Sequence, residues 1–412
     1  MLNLRRWIGS SIVCSVASVV GLIAPVFAEV TLIGTAEISG TATDRSGLTE
    51  SLNESIPANR IGGISAIEHL GGDEYLAQPD RGPLDGAVPF ACRVQRLRIT
   101  VRPGEQSSVT AKVVGTMMLT DESGRQLIGA KSAFDTENPE RSLRFDPEGL
   151  RVRGKRWFIS DEYGPAVREF DDSGKLARRF AVPSRFTIAH PSKEPTEENA
   201  GNTTGRQANG GMEGLAISPD GKKLFAMMQR PLLQDSRPGD DGRRVGLFNR
   251  LLEIDVASGK TREFVYPLDK SSNGVSEILA INAHEFLLIE RDSKEGLEAA
   301  FKRITRIDVG GATDVSHVDI LPVNEDILPV NELPSDIRPV RKSLFLDLLD
   351  PKFGLAGEHF PEKVEGLTFG PNLPDGRRLL LVAVDNDFRA ESPILIHAFA
   401  VSPDELGSLP SQ

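Results

Sequence analysis

Cysteine is nearly missing from this sequence: two among 412 residues, Cys14 and Cys92. Cys14 sits in an N-terminal stretch that reads as a leader, so the working chain keeps Cys92 alone. A single thiol can form neither an internal disulfide nor a thiolate metal cluster, and the fold must stand on its packed core. Histidine is scarce as well. The six (His69, His190, His284, His317, His359 and His397) are scattered without metal-ligand spacing. No G-x-S-x-G motif occurs, which excludes the nucleophile elbow of α/β hydrolases. Positive charge is in deficit: 48 Lys and Arg stand against 59 Asp and Glu, a net charge of −11. Nucleic acid is therefore not an expected partner, whereas cations, or substrates carried with cations, are.

Long apolar runs are absent with one exception. Arg5 and Arg6 precede the stretch Ile12 to Val26, which closes on Val26-Phe27-Ala28. A charged start, a short apolar centre and a small closing residue make a secretory signal peptide over residues 1–28. Ser15, Ser18 and Pro25 interrupt the apolar stretch and favour cleavage over a retained membrane anchor. The product is expected to be secreted or periplasmic and free of the membrane. Loss of Arg5 and Arg6 leaves it more acidic still.

What the sequence does contain is a repeated phrase. "GGMEGLAISPDGKKLFAMMQRP", Gly210 to Pro231, runs small residue, glutamate, apolar strand, turn, apolar strand, polar pair. Variants begin at Asp146 ("DPEGLRVRGKRWFISDEYGP"), Gly274 ("GVSEILAINAHEFLLIERDS") and Lys363 ("KVEGLTFGPNLPDGRRLLLVAVDND"). A degenerate copy begins at Ile61 ("IGGISAIEHLGGDEYLAQPDRG"). Alternating strands follow the copies, joined by Asp-Ser-Gly, Ala-Ser-Gly or Gly-Gly turns. Units of four strands, two buried and then two half-exposed, predict an all-β fold: a single β-propeller of five or six four-stranded blades. The last unit shows three strands only. The orphan strand Val30 to Glu37 is expected to pair beside Ile394 to Val401 and close the ring. The expected division is 1–28 signal peptide, 29–60 N-terminal strand and linker, and 61–402 propeller. Insertions fall at Leu119 to Arg144 and Asn324 to Glu362, and the tandem "ILPVNEDILPVNEL" reads as surface linker.

In a propeller the start of every first strand meets the same end of the axial channel. Glu148, Glu213, Glu277 and Glu365 are thereby expected to converge, and like charges so close demand protons or a cation. Hard carboxylate oxygens suit calcium or magnesium, and calcium is the expected cofactor. In the first copy Gly62-Gly63 stand in the glutamate's place, so a fully symmetric ring is not expected. The competing reading is that each glutamate caps the backbone of a neighbouring blade. Arg81, Arg230 and Arg291 follow second strands at matching positions and read as phosphate-binding groups. For each, an ion pair to a neighbouring acid is the alternative. Asp161, Glu162, Asp385 and Asp387 belong to closing segments without arginine. They are candidates for activating a water, or for further metal ligands. Ser65 and Ser276 lie at first-strand positions with no histidine tied to either by spacing.

Taken in order, "DPEGL", "GGMEGLAISPDGKKLF", "VSEILAI…FLLIERD" and "VEGLTFGPNLPDGRRLLLVAVDN" resemble the phytase-like family, also described as esterase-like activity of phytase. The resemblance extends from about Ile61 to Val401. It implies an exported β-propeller with hydrolysis of phosphate esters or other esters. Joined to the acidic ring, the expectation is a calcium-dependent hydrolase of small-molecule esters, monomeric, with no nucleic-acid or membrane partner. Two alternatives stay open. One is a non-catalytic binding propeller with structural calcium; the other is a metal-dependent lactonase, because Glu-Gly-Leu before a strand also occurs in lactonase-type propellers.

Overall fold

The computed structural model describes residues 30–105, 108–239, 244–322 and 333–407. The expected signal peptide and most of the tandem ILPVNE stretch lie outside them. Five antiparallel sheets of four strands carry the fold. In chain order, the first blade holds Ile64–Gly71, Glu74–Pro79, Arg93–Val101 and Val109–Met118. The second holds Pro147–Arg153, Arg156–Asp161, Ala166–Asp171 and Leu176–Phe180. The third holds Met212–Ile217, Lys223–Met228, Phe248–Asp255 and Thr261–Pro267. The fourth holds Gly274–Ala280, Glu285–Arg291, Lys302–Asp308 and Arg341–Asp347. The fifth holds Lys363–Asn372, Arg378–Asp385 and Ile394–Val401, and its outermost strand is Val30–Ile38.

First strands of neighbouring blades touch one another around a central axis, in a closed ring of five. No sixth blade occurs among the described residues. Ring closure follows the expected pairing: Val30–Ile38 runs antiparallel to Ile394–Val401, from Val30 opposite Val401 to Ile38 opposite Ile394. No helix among the described residues is long and apolar enough to cross a membrane.

The core is divided into wedges, one between each pair of adjacent blades. Phe158, Leu215 and Leu224 meet between blades two and three, and Phe225, Phe286 and Leu288 between three and four. Alternation explains this: successive side chains of a strand face opposite neighbours, so both faces of every blade are apolar. That is why the first two strands of each repeat read as nearly continuous hydrophobic runs.

One expectation needs correction. Gly310-Gly311 do not turn the chain into the fourth strand of blade four. Residues 309–322 and 333–340 instead lie along the outer strand of blade three, where Val315 N–H donates to the Glu263 carbonyl and Val340 N–H to the Val265 carbonyl. Val315, Leu321 and Ile337 bury Phe248 and Val265 there. The excursion covers an exposed sheet edge, and the missing strand, Arg341–Asp347, appears only on the return. It lies inside what reads in sequence as an insertion.

The axis is narrow. A Cβ added to Gly149 would stand 2.6 Å from the Leu215 backbone nitrogen, and one added to Gly214 would stand 2.8 Å from the Glu277 backbone. The glycine of each Glu-Gly pair is thus a packing requirement between inner strands. Gly214→Ala should destabilise the protein by about 1–3 kcal/mol through overpacking. Gly115→Ala, whose new methyl would meet nothing closer than 3.5 Å, should stay within about 0.5 kcal/mol. Urea unfolding measures both; equal effects would mean that the inner strands are free to part.

Candidate functional site

A cavity of about 100 Å³ opens where the first strands begin. Each first strand carries a β-bulge at its opening step, and the extra residues are Ser65, Glu148 (with Gly149), Glu213, Ser276 and Glu365. A bulge breaks the alternation of a strand and re-aims one side chain. All five of these line the mouth, making a tier of three carboxylates and two hydroxyls. A second tier comes from the residues just beyond the facing register position on each second strand. These are Asp80, Glu162, Gln229 and Arg291, with Asp385 at the matching place in blade five.

Glu277, grouped in sequence with the other three glutamates, is not in this tier. Ser276 takes the bulge in blade four, and Glu277 takes the place held by Gly149, Gly214 and Gly366 elsewhere. A slip of one residue is enough to send a strand side chain the other way. Its carboxylate lies 3.0 Å from Arg151 Nη2 and accepts the N–H groups of Leu215 (3.1 Å) and Ile278 (2.9 Å). That is the capping role, joining blades two, three and four. By the same register, Ser65 stands where the glutamate belongs in blade one, two residues beyond Gly63.

The expected arginines Arg81 and Arg291 are engaged by acids. Arg291 donates to Glu365 Oε1 at 2.7 Å and to Ser276 Oγ at 2.8 Å. Arg81 donates to Glu162 at 2.8 Å and Asp85 at 3.0 Å, and is bonded to Asp146 and Asn209 as well. Arg230 lines the mouth beside Gln229. Of the four water-activating candidates, Glu162 alone faces the mouth. Asp161 is turned off the axis toward Arg168 and accepts the N–H groups of Asp146 and Tyr163, each at 3.2 Å. Asp385 takes the Lys363 ammonium at 3.1 Å and the Asp387 N–H at 2.7 Å, and Asp387 pairs with Lys363 too. This trio stands at the rim, where Lys363 reaches the mouth and the two aspartates line an adjoining cleft.

Sequence reading missed Asp146, Lys363, Asp80 and Asn209. Asp146 and Lys363 stand two residues before the bulge in their blades, a position that is glycine in the other three (Gly63, Gly211 and Gly274), so the repeat gives no signal for a charged group there. Oxygens of Asp146, Glu148 and Glu162 all lie within 4.8 Å of one another, close enough to hold one metal ion. Glu213 accepts from Gln229 Nε2 at 2.8 Å through Oε1, while its buried Oε2 has no partner among the described residues. No histidine lines the mouth, so Ser65 and Ser276 have no imidazole base. His69, near the end of its strand, bonds the Gly72 carbonyl (2.9 Å), and His284, in a turn, bonds Asp308 (2.9 Å).

Backbone conformation marks the same place. The non-glycine residues with positive φ among those described are Leu84, Asp85, Asn209, Asp387 and Phe388. Asp85 and Asn209 hold Arg81, Asp387 holds Lys363, and Phe388 packs on Gly62 and Gly63. Left-handed backbone at such residues costs about 1–3 kcal/mol each and concentrates where function demands a fixed geometry.

Burial dominates the electrostatics. It pushes the Glu148 carboxyl well above the carboxylate range, reinforced by Glu213 and Asp146. It does the same to Glu213, reinforced by Glu162 and Glu365. Asp146 is pushed up to about 7 by burial, against the pull of Arg81. Glu277 also reaches about 7 by burial, against Arg151. The residues therefore fit a hard divalent cation: buried, mutually repelling carboxylates with one oxygen unanswered.

Two outcomes follow. These carboxyls keep their protons to higher pH in the folded chain than in the unfolded one. For Asp146 and Glu277 that contribution to stability is complete below about pH 4 and is lost as pH rises through about 7. The melting temperature of chelator-treated protein should fall from about pH 5 to 8; calcium should restore it, and Asp146→Asn should flatten the fall. A pH-independent melting temperature would contradict the assignment. In calorimetric titration, Glu213→Gln should weaken calcium binding at least about tenfold, whereas Glu277→Gln should leave it unchanged.

Known proteins bear on these features to different depths. A protein of Arthroderma benhamiae named only as an uncharacterized secreted protein is 27% identical over 290 residues, taking in 55% of this chain and 56% of its own. The match thus spans little more than half of that relative's length. Among solved structures, the periplasmic gluconolactonase PpgL of Pseudomonas aeruginosa is 13% identical with a TM-score of 0.33, over 90% of this chain and 99% of that one. The glutaminyl cyclase of Myxococcus xanthus is 10% identical with a TM-score of 0.37, over 90% and 97%. Likeness of that order says nothing about activity. The profile of the phytase-like family, described as esterase-like activity of phytase, matches residues 59–388, nearly the whole propeller. By that match, carried by the same repeats that build the mouth, the chain belongs to the phytase-like family.

Proposed function

We propose that the chain is an exported, calcium-dependent hydrolase of small phosphate esters, acting at the channel mouth. The observation that carries this is the unanswered, buried Oε2 of Glu213 within a cluster of carboxylates. Glu148, Glu213, Asp146 and Glu162 would hold the ion. Bound calcium supplies positive charge that polarises a phosphoryl oxygen and acidifies a water. Arg230 and Lys363, at the edge of the same cavity, orient the incoming phosphate. Arg81 and Arg291, each held by acids, keep Glu162 and Glu365 in place. Export is supported by the leader-like residues 1–28 and by the secreted relative.

Release of phosphate from phytate or p-nitrophenyl phosphate by the mature chain, with and without calcium, tests the reading. Glu148→Gln with Glu213→Gln should lower kcat by at least about a hundredfold while the fold persists by circular dichroism. Arg230→Ala should act mainly on KM. A double glutamine variant with full, still calcium-dependent turnover rejects the mechanism. Calcium binding without turnover of any ester would favour a binding propeller with a structural ion.

A further inference from the structure

Away from the mouth, one cleft combines size, apolar walls and unanswered cationic donors. It lies where the Leu119–Arg144 insertion and the loop after Phe180 meet blade two, and has a volume of about 770 Å³. Small-molecule sites are typically about 300–1,000 Å³. The Arg144 guanidinium lies 4.1 Å over the Phe134 ring and 4.3 Å over the Tyr163 ring. Its one hydrogen-bond acceptor among the described residues is the Ser192 carbonyl, 3.1 Å from Nη1. Arg168 is only 6% exposed; it pairs with Asp161 through Nη2 and leaves Nε and Nη1 without an acceptor. A buried donor left unsatisfied costs about 1–3 kcal/mol. On Arg168 those donors are sealed behind the wall; the donors an occupant of this roomy cleft can reach are those of Arg144, which has one acceptor and is held in place by two rings. The two acids of the cleft are already spoken for, Asp161 by Arg168 and Glu122 by Arg179 at 3.2 Å.

We infer that this cleft binds a small organic oxyanion, a carboxylate or phosphate carried on a flat apolar body. The anion meets Arg144, and the body lies against Phe134 and Ile188. Stacking on two rings holds the Arg144 fork in one plane, so little freedom is lost when an anion docks on its edge. Tyr163 is the common wall with the mouth, since Arg81 lies 5.8 Å from the same ring. Binding here does not depend on hydrolysis there.

Calorimetric titration of the chelator-treated full chain with phenyl phosphate, benzoate and inorganic phosphate is the test. Phenyl phosphate or benzoate should bind at least tenfold more tightly than inorganic phosphate, and the stronger of the two identifies the oxyanion. That affinity should survive Glu213→Gln and fall at least tenfold in Arg144→Gln. Should Arg144→Gln fail to fold, Arg141→Glu, exposed at the cleft rim, should weaken binding without touching the core. No binding to the wild-type chain overturns the inference. So does equal affinity for inorganic phosphate, or binding lost in Glu213→Gln and kept in the arginine variants.

Discussion

Five inner strands have to pass one another at backbone distance around an axis with little room for side chains. Gly149 and Gly214 meet that constraint by having none. The bulge immediately before each of them then throws one residue forward, out of the crowded axis and into the mouth. Carboxylates collect at the entrance because the interior of the ring cannot take them. Glu277 is the informative exception. Standing in the glycine position, it points along the axis instead, and the chain answers it with Arg151 and two backbone N–H groups.

From that crowding the electrostatics follow. Taken out of water and set against one another, Glu148 and Glu213 hold protons more firmly than carboxyls usually do. Neighbouring cations relieve only part of this, because Arg81 is shared among Asp85, Asp146 and Glu162, and Arg291 is taken by Glu365. Positive-φ residues around Arg81 and Lys363 show the backbone bent out of its preferred basins to set those cations in place. A mouth so arranged is acidic in composition yet presents cationic edges, which is how an acidic protein can accommodate an anion near a divalent ion.

Much of the architecture was legible. Paired apolar runs around turn residues, as in Leu215 to Met228, specify buried hairpins, and the three-strand last unit anticipated the strand from Val30. Less of the site could be read. Which of Ser276 and Glu277 faces the mouth depends on a bulge, and a bulge leaves no mark in an alternating pattern when both neighbours are polar. Arg81 and Arg291 look alike in sequence as candidates for a ligand; only distances reveal that acids already hold them. The fourth strand of blade four was hidden because residues 309–322 and 333–340 belong in space to blade three, a long-range fact that no local pattern encodes.

The closing strand has a consequence for how the chain comes into being. Thr35 and His397, bonded at 2.8 Å, are 362 positions apart. The other blades are assembled from consecutive segments and can form as the chain emerges from the ribosome. Blade five cannot, since its outer strand precedes the other four blades in the chain and its neighbour follows them. Until then the ring is an open crescent with a bare edge at each end, and the acidic mouth has no fifth side. The site is therefore complete only once all five blades have been made, and a chain lacking Ile394 to Val401 would carry the mouth residues on a ring that cannot close.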